Sequence, residues 1–260
     1  MNTTQATHNE QIVDQFTKQA VPFSNKAAHS NEDAMRLTIE TIGLVSTDTV
    51  LDVACGPGIV ACAFAPVAHH VTGIDLVPAM IERAKQFQAE KGLSNLDWRV
   101  GDVLPLPFED GTFSVVVSRY AFHHFVDPKA VLAEMVRVCA PHGKVAVVDF
   151  AVSPENRVAF DTMEQLRDPS HTVALTLDEL VEALESENLV DVQTKFYGVE
   201  IEVEKQLAAS FPKEGDAVKF RKLVSDDVNT NKLGINARFE NEETHYTYPI
   251  AIVVGKKQAE

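Results

Sequence analysis

Apolar residues recur at helical spacing over roughly residues 9–20 and again over 31–42, with Val21, Pro22 and Phe23 following the first stretch. From residue 49 the texture changes to short β-branched runs alternating with longer amphipathic segments. TVLDVA (49–54) predicts a strand that stops at the glycine turn Gly56-Pro57-Gly58. The pattern then predicts a helix over 59–68, a strand over 70–75, a helix over 78–91 with Pro78 in its first turn, and a third strand over 97–100. FSVVVS (113–118) is a nearly all-apolar fourth strand. A helix over 128–139 and the turn Pro141-His142-Gly143 lead to a fifth, KVAVVDF (144–150). Strands apolar on both faces and separated by helices predict an α/β fold, a doubly wound and mostly parallel sheet covered on both sides.

Beyond residue 152 the alternation loosens. A helical stretch over 153–166 breaks at Asp168-Pro169-Ser170-His171, a helix over 177–187 begins after Thr176, and a strand follows over 190–197. About 45 charged, mostly helical-looking residues (198–243) then precede a last strand over 246–255, and long insertions between sheet strands often form lids or pocket walls. No repeat or low-complexity linker splits the chain. It reads as a helical arm (1–44) on one domain (45–260) whose insertion, at about 198–244, is a substrate-pocket candidate.

Composition narrows the function classes. The 260 residues, 45% of them hydrophobic, can fill one good-sized core. Twenty-three Lys and Arg face 38 Asp and Glu, and a net charge of −15 argues against nucleic acid or an anionic membrane as partner. No run of about 18 apolar residues exists, since even 50–80 is broken by Asp52, His69, His70 and Asp75, so no membrane insertion is expected. Cys55, Cys62 and Cys139 are odd in number and lack metal-ligand spacing, and the first ten residues lack the basic and apolar regions of a signal peptide. A cytoplasmic protein without a metal site, acting on a small molecule, is the expectation.

Gly56-Pro57-Gly58-Ile59-Val60-Ala61 satisfies G-x-G-x-x-G/A between a strand and a helix, which raises a dinucleotide-binding reading. Three details oppose a pyrophosphate there: Asp52 lies just before the turn, Pro57 lacks an N–H, and no Lys or Arg occurs between Arg36 and Arg83. A nucleoside carrying an ammonium group and no phosphate meets none of these objections, and S-adenosylmethionine is such a ligand. Asp75 ends the second strand about 20 residues past the turn, where a carboxylate accepts from both ribose hydroxyls. Gly101-Asp102 closes the third strand, where a carboxylate can accept from an adenine amino group while Leu76, Met80 or Val103 cover the ring.

The runs VLDVACGPG, VTGIDLVPAMIERAK, GDVLPLPFEDGTFSVVVSRYAFHHF and VRVCAPHGKVAVVDF, in this order over roughly residues 45–150, resemble the class I SAM-dependent methyltransferases, most of all the ubiquinone/menaquinone-methyltransferase-like branch. The resemblance implies a Rossmann-like seven-stranded sheet with the last strand antiparallel beside the fifth. It implies that Asp52, Gly56 and Gly58 line the methionine end, with Cys55 inside the turn, that Asp75 takes the ribose, and that Asp102 with Val103 takes the adenine. Ser118 and Arg119 would border the methyl-donor pocket, and a closing N-terminal arm would bring Phe16 and Phe23 near the cofactor. The stretch 169–243 departs from the family pattern, so no substrate contact transfers.

His123 and His124 follow the fourth strand at the edge where open α/β sheets bind ligands, and a neutral imidazole there can take a proton from a hydroxyl, amine or acidic carbon. His171, in the polar loop after Arg167, is a third candidate base. The reading is a methyltransferase moving the sulfonium methyl to a small organic acceptor, C- or O-methylation first and N- or S-methylation still open, in a monomer or homodimer. Two alternatives stand beside it: a SAM-binding sensor or assembly subunit without chemistry, and an NAD-dependent oxidoreductase using the same glycine turn.

Overall fold

The computed structural model describes residues 3–24 and 32–259, with side chains described for 5–20 and 32–259. Two helices lead, α1 (Thr3–Ser24) and α2 (Glu32–Ile42). The alternating region then runs β1 (Thr49–Val53), α3 (Ile59–Phe64), β2 (His70–Asp75), α4 (Pro78–Glu90), β3 (Leu96–Val100), β4 (Phe113–Arg119), α5 (Pro128–Val138) and β5 (Cys139–Phe150). It continues with α6 (Arg157–Arg167), α7 (Leu177–Ser186), β6 (Leu189–Glu202), α8 (Val203–Ala208), α9 (Asp216–Asp227), β7 (Arg238–Glu240) and β8 (Glu243–Lys257).

The sheet order is β3-β2-β1-β4-β5-β8-β6, with β1 to β5 parallel and β8 antiparallel to both β5 and β6. The last strand therefore lies beside the fifth, as the resemblance implies. The count differs: the sheet has eight strands, because the three-residue β7 pairs with the start of β8. β8 extends beyond the end of β5, flanked there by β6 and β7, and its Glu243 and His245 pair with Glu240 and Arg238.

Strand period two sorts the core into two layers. On β8, Tyr246, Tyr248, Ile250 and Ile252 face the layer that α2, α3, α6 and α9 cover. Ala251 and Val253 face the opposite layer under α5 and α7. β5 alternates the same way, with Val145 and Val147 on the second layer and Ala146 and Val148 on the first.

Several boundaries move for identifiable reasons. The helix expected to reach residue 68 ends at Phe64, because Pro66 has no N–H to offer the Cys62 carbonyl. The turn at Pro141-His142-Gly143 lies inside β5 as an irregularity: Cys139 pairs with Phe113 before it and Lys144 with Val115 after it. The helix opened by Thr176 carries a full capping box, Thr176 accepting from the Glu179 N–H and Glu179 from the Thr176 N–H. The region 198–243 is two helices flanked by the extension of β6 and by β7 rather than mostly helix, with Phe220 and Val224 of α9 in the first core layer. Among the described residues no helix is long and apolar enough to cross a membrane.

Candidate active site

Strand order reverses between β1 and β4, and at that carboxyl edge the chain encloses a cavity of about 940 Å³, its mouth included. Each floor segment follows one strand. Cys55 and Gly56 follow β1, Asp75 and Leu76 end β2, Asp102 and Val103 follow β3, and Arg119 and Tyr120 close β4. The roof is α1, which contributes Gln5, Asn9, Ile12 and Phe16.

The glycine turn is shaped by left-handed backbone at Ala54 (φ 55°), Gly56 (φ 53°) and Gly58 (φ 78°). Its two glycines have different duties. A Cβ on Gly56 would meet nothing within 4 Å, so the bare backbone borders the cavity; a Cβ on Gly58 would lie 2.5 Å from the Trp98 ring and 2.9 Å from the Ala84 Cβ. Gly58 thus permits the close packing of α3 against α4 and β3.

Asp75 is buried and already braces the turn: Oδ2 accepts the Gly56 N–H at 2.7 Å and Oδ1 the Val77 N–H at 2.9 Å. Burial raises its carboxyl to about 6 against the pull of those two N–H groups. Asp52 lies beneath the turn, outside the cavity wall, and accepts the Ala61 N–H at 3.1 Å. Its burial is the main cause that lifts it to about 8, with the Asp75 charge adding and the Ala61 N–H and Arg119 opposing. Asp102 points to the roof, accepting from Asn9 Nδ2 at 2.8 Å and from the Leu104 N–H at 3.2 Å.

A second cavity of about 540 Å³, mouth included, adjoins the first and shares Phe16, Tyr120 and His124 with it. Aromatic and aliphatic side chains from β5, β6 and β8 form much of its wall, including Phe150, Ile201 and Tyr248. Tyr120, in left-handed backbone (φ 58°), turns the chain from β4 into a short 3-10 helix, Phe122–His124, that aims two imidazoles here. His123 Nδ1 lies 2.6 Å from Asp149 Oδ1. His124 Nδ1 lies 3.1 Å from the Ser170 carbonyl and 3.2 Å from its Oγ, which itself donates to Asp168. Burial, then the neighbouring His123 charge, lowers the His124 imidazole to about 3, so it is neutral near pH 7.

Of the residues singled out in the sequence, Cys55, Gly56, Asp75, Leu76, Met80, Asp102, Val103 and Arg119 line the first cavity. Gly58 and Ser118 lie outside its wall, Ser118 donating to the Val53 carbonyl at 3.0 Å and tying β4 to β1. Phe16 reaches both cavities, whereas the Phe23 side chain lies outside the described residues. His123 and His124 border the second cavity, and His171 borders neither: its Nε2 meets Asp161 at 2.7 Å.

Sequence reasoning missed Gln5, Asn9, Asp149 and Tyr120. Asn9 and Asp149 carry no local motif, because each finds its partner only across the fold. Asp149, the penultimate residue of KVAVVDF, was the one available signal, a carboxylate at the productive edge of a buried strand.

Residues 51–147 match a family described as "Methyltransferase domain". The "Uncharacterized methyltransferase YcgJ" of Bacillus subtilis (strain 168) is 33% identical over 167 residues, 63% of this chain and 66% of its own length. The "Ubiquinone/menaquinone biosynthesis C-methyltransferase UbiE" of Ruegeria sp. (strain TM1040) is 36% identical over 110 residues, 41% of this chain and 44% of its own. The solved structure of B. subtilis YcgJ has a TM-score of 0.80 at 23% identity, covering 88% of this chain and 100% of that one. Phosphoethanolamine N-methyltransferase 2 of Haemonchus contortus, solved in complex with S-adenosyl-L-methionine, has a TM-score of 0.62 at 18% identity, covering 87% of this chain and 53% of that one. The chain thus spans between 44% and 66% of the length of these two curated relatives, and the structural likeness is one of fold.

Proposed function

We propose, from the premise that this chain carries a methyltransferase domain of the class I fold, that it transfers the sulfonium methyl group of S-adenosylmethionine to carbon or oxygen of a small organic acceptor. The observation that carries the reading is the pair of adjoining cavities: one is ringed by Asp75 and Asp102 at successive strand ends, the other is bordered by two imidazoles, and they meet at Phe16, Tyr120 and His124.

The residues present fit that cofactor. Gly56 leaves room that a side chain would fill, Asp75 keeps lone pairs for ribose hydroxyls, and Asp102 stands beside Val103 and Met80 for an adenine. No lysine or arginine lies in the turn to bind a phosphate. When bound, the cofactor supplies an already activated methyl group. The protein's share is to hold the acceptor in line, exclude water beneath α1 and receive the acceptor's proton at an imidazole bordering the second cavity.

Calorimetric titration with S-adenosylhomocysteine, with NADH as control, tests the reading in the intact protein and in Asp75→Ala. Binding of the first ligand, weakened by about tenfold or more in the variant, is expected, since hydrogen bonds to a charged group contribute roughly 1.5–3 kcal/mol. Preference for NADH, or no binding of either, overturns it.

A further inference from the structure

We propose that His123 is the base of the transfer, held by Asp149 as its positioning residue, and that the acceptor is correspondingly an uncharged molecule bearing a removable proton on the atom to be methylated. This rests on the methyl-transfer reading above.

Asp149 lies near the carboxyl end of β5 and is fully engaged. Its Oδ1 meets His123 Nδ1 at 2.6 Å and the Phe150 N–H at 2.7 Å, and its Oδ2 takes the Phe122 N–H at 2.8 Å. An ionised carboxylate only accepts, so Nδ1 carries the ring hydrogen and Nε2 keeps its lone pair. Nε2 makes no hydrogen bond among the described residues and is not one of their buried unpartnered atoms, so in a ring that borders the second cavity it is the nitrogen left accessible. Burial alone would raise the Asp149 carboxyl; the charge of a protonated His123 ring, the His123 hydrogen bond and the Phe150 N–H outweigh it and hold the carboxyl low. The carboxylate that orients the ring therefore also balances the imidazolium formed when the ring takes a proton.

The other two imidazoles are set for other work. His124 points Nδ1 at Ser170 and is held neutral down to about pH 3, which makes it a weak proton acceptor. His171 lies 5.6 Å from the His123 ring, is bonded to Asp161 at Nε2, and buries an unpartnered Nδ1 away from both cavities.

Charge balance defines the acceptor. Among the described residues that border the second cavity, Arg167 is answered by Glu164 at 2.6 Å and by Asp168 at 3.8 Å, and Asp168 also takes the N–H and O–H of Ser170. Glu164 accepts from the Tyr248 hydroxyl as well. Two carboxylates answer one guanidinium, so no free cation among them is left to meet a phosphate or a carboxylate on the acceptor, and an ammonium group has no lone pair with which to attack the methyl carbon. A neutral hydroxyl or acidic C–H compound fits. In the step, its X–H proton passes to His123 Nε2, a bond forms between X and the methyl carbon, and the C–S bond breaks with its electron pair going to sulfur.

The probe is 4-nitrophenol, whose absorbance reports its ionisation, added to protein saturated with S-adenosylhomocysteine. The bound phenol is expected to ionise more readily than in buffer; His123→Gln and Asp149→Asn should lower the bound phenolate fraction by about tenfold or more, while surface His70→Gln is unchanged. Loss in His124→Gln but not in His123→Gln, or tighter binding of 4-nitrobenzoate or 4-nitrobenzylammonium than of 4-nitrophenol, overturns the proposal, as does failure of the phenol to bind. Should Asp149→Asn not fold, long-range proton–nitrogen spectra of histidine-labelled wild-type protein decide: the Nδ1–H form of His123 is expected, and the Nε2–H form overturns the dyad. Failure of S-adenosylhomocysteine to bind would overturn the underlying function instead, and the tautomer spectra would still judge the dyad.

Discussion

Asn9 on the N-terminal helix donates from Nδ2 to Asp102 Oδ2 at 2.8 Å, joining the roof of the first cavity to the end of β3, 93 residues away in sequence. The roof is also held where His8 Nε2 meets the His124 carbonyl at 2.7 Å, where Gln19 reaches Asp168 at 3.4 Å, and where Ile12 and Phe16 pack on Val77 and Met80. A few polar ties on a small apolar contact describe an element of low local stability, suited to opening for ligand entry.

Asn9→Ala removes a tie to a carboxylate, a change of roughly 1.5–3 kcal/mol where such a bond is sheltered and less where water replaces it. Amide exchange within residues 5–20 should accelerate by about tenfold while exchange in β1 and β4 stays the same, and S-adenosylhomocysteine affinity should fall with it. Unchanged exchange in the helix would show that the apolar contact alone holds it.

The raised carboxyls make a pH prediction with a definite sign. In the unfolded chain both ionise near the usual 3.8, whereas in the folded protein Asp75 holds its proton to about 6 and Asp52 to about 8. Between those limits the folded state binds more protons, so their contribution to stability falls as pH rises from about 4 to about 8. Asp149 and Glu164, held low, act oppositely at acid pH, so the comparison is between variant and wild type at each pH. Asp52→Asn should match the wild-type Tm near pH 4 and exceed it by several degrees at pH 8.5, about 2–4 °C for each kcal/mol in a chain somewhat smaller than this.

The two turn glycines separate folding from binding. Gly58→Ala puts a Cβ against Trp98 and Ala84 in backbone at φ 78°, and should destabilise by about 2–4 kcal/mol in urea unfolding. Gly56→Ala meets open space at φ 53° and should cost only about 1 kcal/mol of stability while weakening S-adenosylhomocysteine, because the methyl occupies the cavity.

Arg167 and Glu164 form a buried pair at 2.6 Å; burial alone would raise the Glu164 carboxyl, but the Arg167 and His171 charges and the hydrogen bonds from Arg167 and Tyr248 outweigh it and leave the carboxyl below its usual range. Glu164→Leu strands a buried guanidinium and should cost about 3–5 kcal/mol; adding Arg167→Met should recover most of that, since replacing both charges removes the desolvation penalty. A double-mutant cycle in urea measures it.

The strand-and-helix succession through residue 150 was legible because buried parallel strands are short, apolar and punctuated, and the acids that matter follow immediately: Asp52, Asp75 and Asp102 each sit at a strand's productive end. That same logic put His123 and His124 at this edge but could not rank them, since Asp149 and Ser170 join them only in three dimensions. Ser118 and Gly58, expected as ligand contacts, lie outside the first cavity's wall, Ser118 bonding β4 to β1 and Gly58 lying against a tryptophan on β3. The extent of β6 and the extra strand β7 escaped notice because polar, exposed strand residues such as Lys195, Glu200 and Glu240 carry no clean alternation.

The central claim, that the first cavity is the cofactor site, is tested most directly by nuclear Overhauser contacts in methyl-labelled protein bound to S-adenosylhomocysteine. The account predicts cross-peaks from the adenine protons to the Met80 and Val103 methyl groups, weakened in Asp75→Ala. Cross-peaks instead to Val199, Ile201 and Ile250 around the second cavity, or saturable binding with no contact to Met80 and Val103, would contradict it.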